Sequence, residues 1–269
     1  MRLLSISEVQ NKLFDLMKVV NEFCEDNSLD YYIIGGTLLG AIRHNGFIPW
    51  DDDIDIAMIR SEYEKFLSLA EKFPQPYEVC NYKNSNKCDY VLTRIYIPNT
   101  FIDNPAAKKA NIDHRLYFDI FPIDTVPNSE REQNEQRDAI IKYKKKIWFS
   151  VPYQYSNNRI KRIGRKIISL MYSPFRNYWL KKLDSEMKKY QNVEAKYYCS
   201  MASQYKYEKQ KMRCEVYGTP QLYEFGGIKL KGPELAFEYL SKLFGEDFME
   251  LPPVENRRKG YDVYVTYDI

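Results

Sequence analysis

The sequence predicts an α/β protein of the α+β type: a mixed-sheet core, a mainly helical basic insertion and a short C-terminal return. Strand-like runs alternate with helix-periodic segments up to about residue 124, and helical periodicity dominates from there to about residue 202. The 269 residues are 44% hydrophobic and 29% charged, the composition of a globular protein with a sizeable core. We expect the core over residues 1–128, the basic helical region over 129–215 and the returning segment over 216–269.

The N-terminal elements follow from hydrophobic spacing. In chain order it predicts a helix over residues 7–27, a strand over 31–34, a short helix over 38–43, a strand in the second half of 51–58 and a helix over 61–72. Capping boxes are expected at Ser7 with Gln10 and at Ser61 with Glu64, and Thr37 is expected to cap the short helix.

The later elements are marked by turn and breaker residues. Strands are predicted over 77–82, 90–97 and 116–121, the last ended by Pro122, and helices from a cap at Ser129 to about residue 202. Gly226-Gly227 lies between two short apolar stretches and predicts a hairpin turn, after which a helix is expected over 233–244.

Cysteine usage and hydropathy indicate the compartment. The five cysteines are scattered and form no CxxC pair, so we expect no disulfide framework and a reducing environment. With two histidines in the chain, a histidine-rich metal site is excluded. No apolar run approaches the ~18 residues of a membrane span and no signal peptide opens the chain, so a cytoplasmic protein is expected.

Charge is distributed unevenly along the chain. Residues 142–190 hold fourteen Lys and Arg against two acidic residues, a net charge of +12, whereas the whole chain carries +3. Such asymmetry predicts an anionic partner. Within this stretch, residues 159–172 combine an apolar stripe with flanking basic residues, as do helices that lie at the surface of an anionic membrane. The alternative is a surface helix that packs on the core.

A pair of aspartates gives the first indication of chemistry. Asp53 and Asp55 are two residues apart in a strand-like segment, so their side chains share a face while Ile54 and Ile56 point to the core. Adjacent carboxylates repel each other unless a cation lies between them, and hard oxygen ligands favour Mg²⁺ or Mn²⁺. The alternative is a solvated acidic strand end.

A glycine pair precedes the aspartates. Gly35 and Gly36 join a strand to a helix, which offers backbone N–H groups to an anion, and Thr37 adds a hydroxyl. A phosphate-binding turn followed by metal-binding carboxylates predicts transfer of a phosphoryl or nucleotidyl group. The basic segment suggests a nucleic-acid-binding protein as the non-enzymatic alternative, but the spaced carboxylates argue against it, so no nucleic-acid partner is expected.

Three stretches resemble a known family. Residues 35–56 read GGTLLGAIRHNGFIPWDDDIDI, residues 117–124 read YFDIFPID, and residues 243–249 read LFGEDFM, followed by LPP at 251–253. The first stretch is similar to the signature of the LicD family, and the others resemble its second motif and its closing segment. The resemblance implies the nucleotidyltransferase fold and a relation to fukutin-type phosphotransferases.

The resemblance also implies a reaction. The best-known members of the family transfer phosphocholine from CDP-choline to a sugar of teichoic acid or lipopolysaccharide. The resemblance also implies that Asp119 is a third metal-binding, catalytic carboxylate beside Asp53 and Asp55. A polyprenyl-linked glycan acceptor would explain the basic segment. The alternatives are another nucleotide donor, such as one carrying a polyol phosphate, or the addition of a nucleotide.

Three further residues are candidate substrate contacts. Arg43 and Arg94 could bind the diphosphate of the donor, because a guanidinium group is always charged and pairs with phosphate in a bidentate manner. Trp50 could stack on a base or enclose a quaternary ammonium group. The structural alternatives are an ion pair of Arg43 with Asp51 or Asp52, and packing of Trp50 on its own loop.

Overall fold

The computed structural model describes residues 1–104, 107–108, 110–152, 159–257 and 262–266. The first half contains β1 (Arg2–Leu3), α1 (Ile6–Asp26), β2 (Tyr32–Ile33), α2 (Gly35–His44), β3 (Asp55–Ile59), α3 (Arg60–Ser68), β4 (Glu78–Cys80), β5 (Thr93–Tyr96), β6 (Thr100–Ile102) and β7 (Tyr117–Val126). The second half contains α4 (Glu130–Phe149), α5 (Arg159–Tyr172), α6 (Arg176–Met187), β8 (Tyr197–Cys199), α7 (Tyr207–Gln210), β9 (Lys211–Arg213), α8 (Cys214–Tyr217), β10 (Gln221–Phe225), β11 (Ile228–Gly232), α9 (Ala236–Phe244) and β12 (Val263–Val265). The predicted mixed α/β class is confirmed.

The central sheet has the strand order β2-β3-β7-β5-β4. Strands β3 and β7 run parallel, and the other neighbours on this path are antiparallel. Buried side chains of α1, α2, α3 and α9 form one continuous apolar cluster with the strands. The parallel pair β3 and β7 therefore lies at the centre of the sheet.

Strand β7 is longer than the sequence predicts. The prediction that the strand over 116–121 ends at Pro122 is wrong, because β7 continues to Val126. The ladder between β7 and β5 stops at Ile120, and the ladder with β8 begins at Asp124. Pro122 thus lies in a gap along that edge, where a strand loses no ladder hydrogen bond by lacking an N–H.

The prediction of helix up to about residue 202 is also wrong in part. Residues Tyr197–Cys199 form β8, which pairs antiparallel with β7 from Asp124 to Val126 and with β9 on its other side. The end of β7 beyond β5 offers an edge that β8 completes. This pairing joins the basic helical region to the central sheet.

The observed helix caps and turns agree with some of the local sequence predictions and contradict others. The capping box of α1 is formed by Ser5 and Glu8, so the predicted box at Ser7 is wrong. Helix α3 begins at Arg60 without a side-chain cap, which overturns the box predicted at Ser61. The predictions for Ser129, whose hydroxyl accepts from a first-turn N–H of α4, and for the hairpin turn between β10 and β11 are confirmed.

The cysteines form no disulfide, and the described helices include none that could span a membrane. All five cysteines are free, and burial raises the pKa of the Cys24 thiol to about 12, which keeps it protonated. Across the described ranges, no helix combines the length and the apolar character that crossing a bilayer requires.

A buried ion network holds the basic helical region to the core. The Arg60 guanidinium donates to Asp124 Oδ1 and Oδ2 at 2.6 and 2.8 Å and to Asp184 Oδ1 of α6 at 3.2 Å. The Tyr82 hydroxyl and the Lys188 ammonium contact Asp184 Oδ2 at 2.6 and 2.7 Å. Because Arg60, Asp124 and Asp184 are all buried, each charge depends on its partners.

We expect Arg60→Met to lower the free energy of unfolding by about 3–5 kcal/mol, because it leaves the buried Asp124 carboxylate without its cation and removes one of the two cations beside Asp184. Urea unfolding followed by circular dichroism measures the loss. The matched control is Arg131→Met, which removes an exposed i,i+4 ion pair with Glu135 and should change stability by less than about 1 kcal/mol. Equal effects of the two substitutions would show that the buried network contributes no more to the free energy of unfolding than an exposed ion pair does.

Candidate active site

The site is built on the first residues of β3 and the facing part of β7. In the parallel ladder Asp55 is paired directly with Asp119, so the two side chains lie next to each other on one face of the sheet. The neighbouring residues Ile54, Ile56 and Phe118 are buried on the opposite face, as the alternation predicted. Two carboxylates distant in sequence are therefore adjacent because of strand register alone.

The preceding loop adds further carboxylates. Asp51, Asp52 and Asp53 each offer an oxygen, and these oxygens lie within 4.8 Å of one another. Asp53 precedes β3, so its predicted position on the strand itself is wrong. The loop is held against α1 by Gln10, whose side-chain amide donates to the backbone oxygens of Ile48 and Asp51 at 3.1 and 2.9 Å.

Burial and mutual repulsion change the acidity of the cluster. Burial raises the pKa of Asp55 well above its ordinary range, and the charges of Asp53, Asp119 and Asp51 raise it further. Burial also raises the pKa of Asp119, against the opposing effect of Arg94. Such a group of carboxylates is stabilised by gaining a positive charge, either protons or a bound cation.

Arg94 of β5 supplies a cation to this pair. Its Nε donates to Asp119 Oδ1 at 2.9 Å, and its guanidinium carbon lies 4.0 and 3.8 Å from the ring centroids of Tyr90 and Tyr117. The Tyr90 hydroxyl is hydrogen-bonded to that of Tyr96 at 2.7 Å. The stacking fixes the guanidinium plane beside Asp119. Arg94 therefore orients a carboxylate, and its predicted contact with substrate stays a prediction.

The glycine pair lies directly against the carboxylates. Helix α2 begins at Gly35, whose φ of +55° is a left-handed conformation that favours glycine. A Cβ at Gly36 would lie 2.7 Å from Asp51 Oδ2, and one at Gly35 would lie 3.8 Å from Asp55 Oδ2. The absence of side chains thus lets the start of α2 approach the acidic cluster.

Thr37 has a different structural role from the one expected. It is the third residue of α2, so its predicted role as the helix cap is wrong. Its hydroxyl accepts the Asp55 N–H at 2.9 Å. This bond ties the first turn of α2 to the first residue of β3, and it fixes the glycines relative to the carboxylates.

Arg43 and Trp50 lie where the C-terminal segment meets the core. Arg43 Nη1 donates to the backbone oxygens of Phe248 and Glu250 at 2.8 and 3.0 Å. The Arg257 guanidinium carbon lies 4.4 Å from the Trp50 ring centroid. Arg43 connects the last turn of α2, and Trp50 connects the loop before the aspartates, to residues 248–257. Their predicted contacts with substrate stay predictions.

Sequence reasoning missed several supporting residues. Gln10 and Arg257 carry no local signal, because their partners are distant in the chain. Tyr90 was missed although its partners Arg94 and Tyr96 are four and six residues away, and it lies before β5, which contains both. Tyr117 could have been found, since it lies two residues before Asp119 and therefore on the same face of β7.

Carboxylates that converge from two neighbouring strands beside a glycine-led helix suit metal-assisted transfer of a phosphoryl or nucleotidyl group. Comparison with known families identifies the class of protein. The chain belongs to the LicD/FKTN/FKRP nucleotidyltransferase domain family, whose profile matches residues 28–167, more than half of the sequence. The family resemblance and the prediction of a phosphotransferase are thereby confirmed.

Curated relatives differ in how much of the chain they match. The lipopolysaccharide cholinephosphotransferase LicD of Haemophilus influenzae is 29% identical over 269 residues, which cover 96% of each chain. An uncharacterized protein of Rickettsia typhi is 33% identical over 46% of this chain and 36% of its own, and one of Rickettsia prowazekii is 30% identical over 41% and 44%. Similarity to the Haemophilus protein thus includes the basic helical region.

We expect Gly36→Ala to slow phosphotransfer about tenfold with little change in melting temperature. The new methyl group displaces the Asp51 carboxylate, which is the flexible end of a side chain, so the cost falls on the site and not on the fold. Turnover and thermal unfolding are measured together. The control is Gly164→Ala in α5, where a Cβ meets nothing within 4 Å. Unchanged turnover in Gly36→Ala would mean that the position of Asp51 is not important.

Proposed function

We propose that the protein transfers phosphocholine from CDP-choline to a sugar of a cell-surface glycan precursor, of the lipopolysaccharide or teichoic acid type, at the cytoplasmic side of the membrane. The single observation that carries the reaction class is the pairing of Asp55 with Asp119 beside the loop carboxylates. The choline assignment is supported by the similarity over nearly the full length to the Haemophilus cholinephosphotransferase.

The donor set fits a divalent cation. Asp53, Asp55 and Asp119 offer only carboxylate oxygens, which suit Mg²⁺ or Mn²⁺ better than zinc. Burial and like charge raise the pKa of Asp55, so the site favours a species that supplies positive charge. We propose that these three aspartates hold Mg²⁺ or Mn²⁺. When bound, such an ion neutralises the diphosphate of the donor and the charge of the departing CMP.

The other residues of the site position groups. Arg94 holds Asp119 in one orientation, and Thr37 holds Asp55 against α2. The first-turn N–H groups of α2, at Gly35 and Gly36, have no acceptor within the helix and are proposed to donate to the phosphates of the donor. Arg43 and Trp50 are proposed to border the nucleotide or choline portion from the opposite end of α2.

We propose a transfer step in which these residues orient the groups that react. The acceptor hydroxyl oxygen forms a bond to the choline-bearing phosphorus, and the bond from that phosphorus to the bridging oxygen breaks. The electron pair leaves with CMP, and the proton of the hydroxyl passes to a carboxylate of the cluster. The chain supplies orientation and a proton acceptor, which are the contributions that phosphoryl transfer requires from side chains.

We expect Asp53→Asn and Asp55→Asn each to lower the transfer rate by at least about a hundredfold, because each removes a charged ligand without changing shape. Mass spectrometry of the glycan product at saturating Mg²⁺ measures the rate. Asp15→Asn, an exposed partner of Lys18 on α1, is the matched control and should retain full activity. Turnover near that of the unmodified protein in both site variants would refute the assignment.

We also expect CDP-choline to raise the melting temperature only when Mg²⁺ or Mn²⁺ is present, since a ligand that binds only the folded state stabilises it. A thermal-shift series with cytidine and uridine diphosphate donors, each with and without excess EDTA, tests this expectation. Equal stabilisation in EDTA would contradict binding through a metal. A larger response to another nucleotide donor would preserve the mechanism and overturn the choline assignment.

A further inference from the structure

We propose that α5 (Arg159–Tyr172) docks the protein on the surface of an anionic lipid bilayer. The apolar stripe of this helix faces solvent and does not pack on the core, which overturns the alternative of a helix packed on the core. Its members are between 53% and 80% exposed: Ile160, Ile163, Ile167, Leu170 and Met171. Large apolar side chains exposed together on one helix face mark an interaction surface.

The helix is attached to the protein by its polar side. Ser169 is the buried residue of α5, and at about 100° per residue it lies on the opposite side of the helix from Ile160. Arg165 also faces the protein, where it donates to the backbone oxygens of Trp148 and Val151 and stacks on the Trp148 ring, 3.6 Å from its centroid. The usual orientation of an amphipathic surface helix is therefore reversed.

Basic residues border the exposed stripe. Arg159, Lys161, Arg162 and Lys166 are exposed, and α5 contains no acidic residue. Exposed aromatic side chains, Phe175 and Tyr178, follow directly after the helix. Apolar side chains flanked by cations and accompanied by aromatic rings suit the boundary between acyl chains and anionic headgroups.

Charge distinguishes the bilayer from other occupants. A nucleic acid would be bound by the cations but would leave the isoleucine stripe in water. A second copy of the chain would bring its own basic segment, of net charge +12, against the first. An anionic bilayer satisfies both the apolar stripe and the cations on its borders.

Docking would keep the enzyme next to a lipid-linked acceptor. This benefit rests on the proposed function. The docking itself requires neither donor nor acceptor. Vesicle binding and transfer to a short soluble acceptor can therefore be measured separately, and failure of one leaves the other unaffected.

The test is co-sedimentation of the full chain with vesicles of phosphatidylglycerol and phosphatidylcholine, compared with phosphatidylcholine alone. We expect binding to the anionic vesicles at low salt and a clear loss at about 0.5 M NaCl, where surface charges are screened. Ile163→Gln with Ile167→Gln should weaken binding at least about tenfold, since two apolar side chains no longer enter the bilayer. Arg159→Gln with Lys166→Gln should remove most of the salt dependence.

The matched control is Leu222→Gln with Lys229→Gln on the β10–β11 hairpin, which combines an exposed apolar and an exposed basic residue outside α5. The control should bind vesicles as the unmodified protein does, and circular dichroism should show all variants folded. Absence of binding by the unmodified protein, or equal binding by the isoleucine variant, would overturn the proposal. The proposal would also be overturned if sedimentation showed a dimer that the isoleucine substitutions dissociate. The same holds if the protein bound RNA, with or without the isoleucine substitutions, but did not bind vesicles.

Discussion

The crowding of carboxylates where β3 begins beside β7 is the constraint on which the rest of the site depends. Parallel pairing places Asp55 directly beside Asp119, and their partial burial reduces the screening of their charges by water. The surroundings offset this repulsion in two ways. Arg94 supplies a fixed cation to Asp119, and the start of α2, free of side chains at its glycines, brings the positive end of a helix close to the cluster. The remaining charge favours a bound cation.

Strand β7 connects the chemistry to the helical region. Asp119 and Asp124 are five residues apart and so lie on opposite faces, the first in the site and the second in the network with Arg60. Each is paired with an arginine that also stacks on a ring: Arg94 on Tyr117 and Arg60 on Tyr63, the latter at 5.2 Å. Arginine suits this use because its planar group can stack and donate at once.

The site could be predicted wherever the chemistry is local. The alternation around Asp55 indicated a strand, which is confirmed from Asp55 onward, although Asp53 lies before it. The glycine pair at 226–227 indicated a hairpin, which is also confirmed. Asp119 was reached only through family resemblance, because no local pattern says which strands become neighbours. Gln10 was missed for the same reason, since its side-chain amide holds the backbone of Asp51, which is 41 residues away in the chain.

The sequence by itself determined the periodicity of each segment and the positions of its acidic, basic and apolar residues. Tertiary structure alone decided which edges and faces met. Pro122 is tolerated within β7 because it lies between the segments of that strand that pair with β5 and with β8. Tyr197–Cys199 forms a strand because the end of β7 beyond β5 can pair with it. The stripe of α5 faces outward because Arg165 and Ser169 attach its polar side to the protein. Local spacing defines a helix or strand, whereas its neighbours depend on contacts between distant residues.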